Sequence, residues 1–189
     1  FFSFLHYWKE APKHYRQVVT GMIIFALFNS SDVFLLLRIK DAGLDDTKVI
    51  GVYIFYNLIY AVLSYPLGIL ADRIGLRKTF LFGLGMFAIM YFGMAFDSSL
   101  YFYLALFACY GVYAASTEGI AKAWVSNVAS KGDTATAIGL FSGFQSIALL
   151  LASSIMGLIW YGFGPAYAFV LSGLVAISMV IYFLKMKDV

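Results

Sequence analysis

Charge is scarce in this chain: only 12% of its 189 residues are Asp, Glu, Lys or Arg, while 62% are hydrophobic and the mean hydropathy is +0.87. These values exclude an ordinary soluble domain, in which charged residues make up about 25%. Cysteine is limited to Cys109, so no disulfide within the chain and no cysteine-rich metal site can be built. The two histidines, His6 and His14, fall outside the apolar runs, and the sequence has no His-Glu-x-x-His pair, Gly-x-Ser-x-Gly elbow or phosphate-binding glycine loop. No catalytic residue, metal or cofactor is therefore expected. The chain also lacks an initiator Met and a small-residue cleavage site, opening instead on an aromatic and then charged stretch. It reads as part of a longer polypeptide, without a removable signal peptide.

What is abundant is apolar sequence in long runs. A span of a 30 Å hydrocarbon core needs about 20 apolar residues, and the charges divide the chain into six such runs: Val18 to Leu37, Thr47 to Ala71, Thr79 to Phe96, Leu100 to Val125, Thr134 to Tyr161 and Ala166 to Leu184. The expected fold class is an all-α membrane protein with six transmembrane helices. Residues 1–17 read as a cytoplasmic or interfacial segment, 18–184 as the six-helix unit and 185–189 as a cytoplasmic tail. Phe1, Phe2, Phe4, Leu5, Tyr7 and Trp8 precede Lys9, Lys13 and Arg16, which suits an amphipathic segment at the inner interface; the end of a longer loop is the alternative. Arg38 to Lys48, Asp97-Ser-Ser and Gly162-Phe-Gly-Pro165 are the expected outer connections; Asp72 to Lys78 and Ser126 to Asp133 are the inner ones.

Orientation follows from the 13 Lys and Arg residues. Lys9, Lys13, Arg16, Arg73, Arg77, Lys78, Lys122, Lys131, Lys185 and Lys187 fall on one side of the runs; only Arg38, Lys40 and Lys48 fall on the other. The richer side is expected in the cytoplasm, together with both termini. The net charge of +3 thus belongs to topology. Because the cations are dispersed over separate segments, they do not point to nucleic acid.

The run Gly68-Ile-Leu-Ala-Asp-Arg-Ile-Gly-Leu-Arg-Lys78 is a compact charged turn between two apolar runs. Glycines there permit close approach of helix ends, and Asp72 with its cations can form a hydrogen-bonded charge network at helix termini. The run resembles the loop signature of the major facilitator superfamily, G-x-L-A-D-R-x-G-R-R/K-R/K, at Gly68, Leu70, Ala71, Asp72, Arg73, Gly75, Arg77 and Lys78; Leu76 departs from it. The resemblance implies half of a twelve-helix transporter fold. It favours the C-terminal half: Tyr103 to Trp124 has no arginine and Gly139 to Trp160 no proline, where the fourth and fifth helices of many drug-exporting members carry R-x-x-x-G and G-P motifs. Ser116 to Lys122 is similar to the tenth helix of several bacterial efflux members.

Polar residues within the runs are costly to bury and usually face a cavity or a partner. Asp32 lies past the middle of the first run, on a helical stripe with Phe25, Asn29 and Leu36. Tyr53, Asn57, Tyr60 and Ser64 form a stripe on the second, and Ser142, Gln145 and Ser146 lie at nearby depths on the fifth. The third and sixth have no ionisable residue in their interiors, so the first, second, fourth and fifth are expected to line a route. Candidate substrate or proton residues are Asp32, Asn29, Tyr53, Asn57, Tyr60 and Gln145. The plainer alternatives are an Asp32–Arg38 structural pair and tyrosines that only pack. Glu118 and Lys122 are expected to join Asp72, Arg73 or Arg77 in a structural charge network, and Gly139-Leu-Phe-Ser-Gly143 to permit close helix packing.

The resemblance implies a proton-coupled secondary transporter exporting a small organic solute by alternating access, in the bacterial inner membrane. Its implied partners are the lipid bilayer and an N-terminal six-helix half, in the same polypeptide or a separate subunit. An ion-independent facilitator is the alternative within transport. A non-transporting six-helix binding or assembly subunit is the alternative outside it.

Overall fold

The computed structural model describes residues 3–96 and 99–186. Among these the chain has eight α-helices and no strand: α1 Ser3–Glu10, α2 Lys13–Ala26, α3 Asp32–Asp41, α4 Asp46–Ile74, α5 Leu76–Met94, α6 Leu100–Val128, α7 Thr134–Phe163 and α8 Pro165–Lys185. Phe1, Phe2, Lys187 and the Asp97–Ser98 part of the third outer turn lie outside the described residues. Four of these helices are long and apolar enough to cross a bilayer, namely α4, α6, α7 and α8, with hydropathies of 1.6, 1.3, 1.8 and 2.2. The third expected span, α5, has 19 residues and opens on Leu76, Arg77 and Lys78.

The first expected span is not continuous. It is split into α2 and α3 by residues 27–31. The cause is local: Asn29, Ser30, Ser31 and Asp32 are short polar residues whose side chains compete for backbone groups and so favour caps over helix interiors. Phe28 and Asn29 donate their amides to Phe25 O and Ala26 O, closing α2 with a tight turn. Ser31 caps α3, its Oγ accepting from Val33 N at 3.4 Å, and its own amide donates to Ser153 Oγ on α7. Irregular backbone at membrane depth persists only where protein or a cavity satisfies it.

The expected inner turn from Asp72 to Lys78 shrinks to one residue. Helix α4 continues through Arg73 to Ile74, and α5 begins at Leu76. Between them Gly75 adopts φ +100°, a conformation open to glycine and strained for other residues. Gly68 of the same signature has open space around it, so close approach does not explain that position. Arg77 reaches across to α8 and donates to the carbonyls of Phe183, Leu184 and Met186. A cation here satisfies acceptors left over at a helix C-terminus.

Helix α6 is the most enclosed, packed between α4 and α5, while α8 lies against α5 and α7. Glycine makes the α5–α6 contact possible: a Cβ at Gly83 would stand 2.6 Å from Thr117 Cγ2. At Gly143, by contrast, nothing within the described residues lies close, so the contact permitted by the Gly139–Gly143 spacing is not made within this chain at that glycine. The core is largely aromatic, with Phe87 stacked on Tyr91 at 3.9 Å and edge-on to Phe25 and Tyr113. The N-terminal segment is folded onto this body. Trp8 meets Phe144 of α7 at 5.8 Å, Tyr7 meets Tyr15, and Tyr15 donates to Ala137 O at 2.8 Å. The expected boundary at residue 17 therefore falls inside α2.

Candidate functional site

The break in the first span opens onto a cavity of about 630 Å³, within the size range of small-molecule sites. Its walls come from α2, residues 27–31, α3, α4, α6 and α7, with Phe80 the only contribution from α5 and none from α8 among the described residues. That is the lining expected from the distribution of polar residues, except for Phe80.

Asp32 sits in the first turn of α3 and its Oδ1 accepts from Tyr110 OH at 2.6 Å. One turn of α6 further on, Tyr113 OH accepts from Asn29 Nδ2 at 2.9 Å. The two tyrosines stack at 5.4 Å, and Tyr56 of α4 covers Tyr110 at 4.9 Å. The polar turn cannot stay helical, and the tyrosines of α6 supply the groups that bind its side chains. Each bond to an ionised carboxylate is worth roughly 1.5–3 kcal/mol, which helps offset the cost of a charged residue at membrane depth. Ser30 is buried in the same turn, its side chain near the buried Tyr91 hydroxyl, and Asn29 Oδ1 has no partner among the described residues.

Of the six candidate residues, Asp32, Asn29, Tyr53 and Gln145 line the cavity. Asn57 does not: it is exposed, and its Nδ2 bonds Tyr53 O in its own helix. Tyr60 borders a neighbouring cavity of about 290 Å³ and reaches the main one only through Glu118, donating to its Oε2 at 2.7 Å. Ser146 and Ser64 bond the carbonyls one turn back in their own helices. Tyr56, Tyr110, Tyr113, Phe141 and Ser153, none of them singled out from sequence, complete the walls. The i, i+3, i+7 spacing of Tyr110, Tyr113 and Thr117 was the available signal.

Among the described residues Asp32 and Arg38 form no ion pair; Arg38 donates from Nε to Met94 O at the end of α5. Glu118 and Lys122 line the cavity; among the described residues no ion pair or hydrogen bond links them to Asp72, Arg73 or Arg77. Asp72, Gly75 and Arg77 instead border a separate cavity of about 610 Å³ with His14, Trp124 and Asn127. Arg73 and Lys78 are exposed. His6 pairs with Glu10 at 3.0 Å on the exposed side of α1.

Comparison with known proteins agrees with this architecture. The chain is 35% identical over 175 residues to an uncharacterised MFS-type transporter of Methanocaldococcus jannaschii, an overlap of 89% of this chain and 44% of that protein. It therefore spans less than half the length of that relative. The family profile of the Major Facilitator Superfamily matches residues 17–188. A match from α2 to the end of α8, over most of the chain, means that the chain belongs to the Major Facilitator Superfamily.

Proposed function

We propose that the chain is the C-terminal six-helix half of a secondary active transporter, with α2 and α3 together forming the first of six spans and α4 to α8 the other five. An N-terminal half, in the same polypeptide or a partner subunit, closes the cavity from the other side. The two halves rock about it so that it opens alternately to either face of the membrane. The solute is a small organic molecule moved outward against a proton gradient. Both termini and the Gly75 turn face the cytoplasm, a reading supported by the ten-to-three division of cations.

The observation that carries this reading is the carboxylate of Asp32 standing in a cavity at a broken membrane helix. Half-helix ends at a midplane cavity are where transporters bind solutes and coupling ions. Asp32 is the proposed proton carrier. Asn29, Tyr53 and Gln145, with Glu118 and Lys122 at the other end of the cavity, are the proposed solute contacts. Gly75 and Arg77 are proposed to hold the ends of α4, α5 and α8 together while the halves move. Nothing in this cycle requires covalent chemistry.

The test is solute flux by the full-length protein in liposomes under an imposed pH gradient. Flux that collapses with a protonophore supports the reading. Flux indifferent to the gradient points to a facilitator, and protein that binds solute without moving it points to a non-transporting subunit.

A further inference from the structure

Helices α4 and α6 touch at one level and part at another. A Cβ at Gly111 of α6 would stand 2.7 Å from Ile59 Cγ2 and 3.0 Å from Tyr56 O of α4. Closer to the Gly75 turn, Tyr60 OH donates to Glu118 Oε2 at 2.7 Å and ties the two helices again. Beyond that tie they separate. Gly119 lies eight residues past Gly111, roughly 12 Å along α6 at about 1.5 Å per residue. A Cβ there would meet nothing within 4 Å, and neither would one at Gly68 of α4. The space between them is the cavity of about 290 Å³, lined by Ser64 and Gly68 on α4 and by Ala115, Gly119 and Ala123 on α6.

Between the touching and the parted levels, α4 carries Pro66 inside the helix. Proline has no N–H to offer the carbonyl of Val62, and its ring crowds that carbonyl, which makes such positions the usual sites of helix kinks. Ser64 adds to this: its Oγ donates to Tyr60 O at 2.6 Å, a back-bond of the kind that bends helices. The direction of the bend follows from the geometry. Pro66 is exposed, and crowding on its side turns the helix away from it. Ser64 and Gly68 each stand two residues from Pro66, roughly 200° around the helix at about 100° per residue. They therefore lie on the face the bend turns inward, and that face lines the gap. At its far end the inner segment is joined to α5 by Gly75 alone, at φ +100°.

We infer that α4 is jointed at residues 62–66, and that its inner segment, residues 67–74, swings into the gap and closes on Ala115, Gly119 and Ala123 of α6 as the carrier changes face. The change of face belongs to the transport reading; the joint rests on packing alone. Eight residues span about 12 Å, so a further bend of about 20°, the threshold of a sharp kink, carries the Gly75 end about 4 Å toward α6. The contact of Ile59 and Tyr56 with Gly111 holds α4 above the joint. The signature turn thus moves while Tyr56, in the wall of the main cavity, keeps its place.

The test measures the gap with spin labels in full-length protein in liposomes, in a background without Cys109. Single cysteines replacing Ile74 and Asn127 carry labels at the inner ends of α4 and α6, and cysteines replacing Thr47 and Tyr101 carry them at the outer ends. Dipolar EPR should give the inner pair two distances about 4 Å apart and the outer pair one. Pro66→Ala, which restores the amide and gains helix propensity, should leave the longer inner distance alone. Gly119→Leu fills the gap and should do the same with Pro66 in place. A gap permanently filled by lipid or by the other half gives a single inner distance at both acid and alkaline pH, and that result overturns the inference. So do two distances at the outer pair, or two inner distances that survive Gly119→Leu. Should Pro66→Ala fail to fold, the native protein and Gly119→Leu decide. Solute flux separates the joint from the transport reading. Flux should fall at least about tenfold in Gly119→Leu, as expected when a hinge motion is blocked; unchanged flux there overturns the joint's part in the cycle and leaves transport standing. Two inner distances in a native protein that moves no solute do the reverse.

Discussion

Gly111 is where α6 comes closest to α4, and the cavity wall depends on that contact. A Cβ placed there would stand 2.7 Å from Ile59 Cγ2, 2.8 Å from Ile59 Cβ and 3.0 Å from the backbone oxygen of Tyr56. Favourable carbon–carbon contacts lie at about 3.5–4.0 Å, so Gly111→Ala is about 1 Å too close. Ile59 is β-branched and stiff at χ1, and a backbone carbonyl cannot swing aside, so the helices must part. Overpacking of this kind costs about 1–3 kcal/mol. Alanine also gains about 1 kcal/mol of helix propensity over glycine, which a control removes: Gly68→Ala, within α4, has open space and gains the same propensity without the clash. Mixed-micelle unfolding of the two variants should therefore place Gly111→Ala about 1–3 kcal/mol below Gly68→Ala. Because Tyr56 is carried on the displaced segment, its 4.9 Å contact with Tyr110 should loosen and solute affinity fall with stability. Equal stability of the two variants refutes the packing argument.

Tyr110→Phe keeps the ring and removes the bond to Asp32, worth roughly 1.5–3 kcal/mol to a charged acceptor; transport should slow and stability in mixed micelles should fall by about that amount, and unchanged rate and stability would show that the bond does not hold Asp32. Outside the membrane, Asp45 caps α4 through Lys48 N and pairs with Lys48 Nζ at 2.7 Å. The side-chain bond from Lys48, followed by its amide, holds the Asp45 carboxyl below its ordinary value, so the cap is fully formed above the ordinary Asp value of about 3.9 and is lost only as pH falls through the lowered one. The Asp45 carboxyl resonance should titrate below about pH 3.9, and Lys48→Ala should move its midpoint upward. Single cysteines replacing Asp45 or Arg77, in a background without Cys109, should be labelled on intact cells by an impermeant thiol reagent at 45 and spared at 77; the reverse pattern inverts the orientation.

Element positions were legible because charges bound the apolar runs: the run read from Thr47 is a helix from Asp46, and that read from Leu100 begins where expected. The break at residues 27–31 was not, because the helical spacing of Phe25, Asn29, Asp32 and Leu36 passes straight through it. What decides against a continuous helix includes an acceptor 122 residues away, Ser153 Oγ, and no local pattern contains it. Asn57 falls on the helical stripe of Tyr53, Tyr60 and Ser64, whereas Tyr56, one residue and thus about 100° around the helix, lines the cavity. On α6 charge marks Glu118 and Lys122, whereas Tyr110 and Tyr113, which bind the side chains of Asp32 and Asn29, carry no charge to mark them. The Gly139–Gly143 spacing shows only which contacts are permitted; within this chain the close contacts fall at Gly83, met by α6, and at Gly111, met by α4.

The central claim is that Asp32 couples solute movement to protons at the broken helix. The direct measurement compares Asp32→Asn with native full-length protein in liposomes, at saturating solute, in two modes: transport driven by a pH gradient and exchange between equal pools. The account predicts that driven transport is lost while exchange remains measurable, because exchange does not require release of the proton. Uphill transport by Asp32→Asn with an unchanged pH dependence would contradict it.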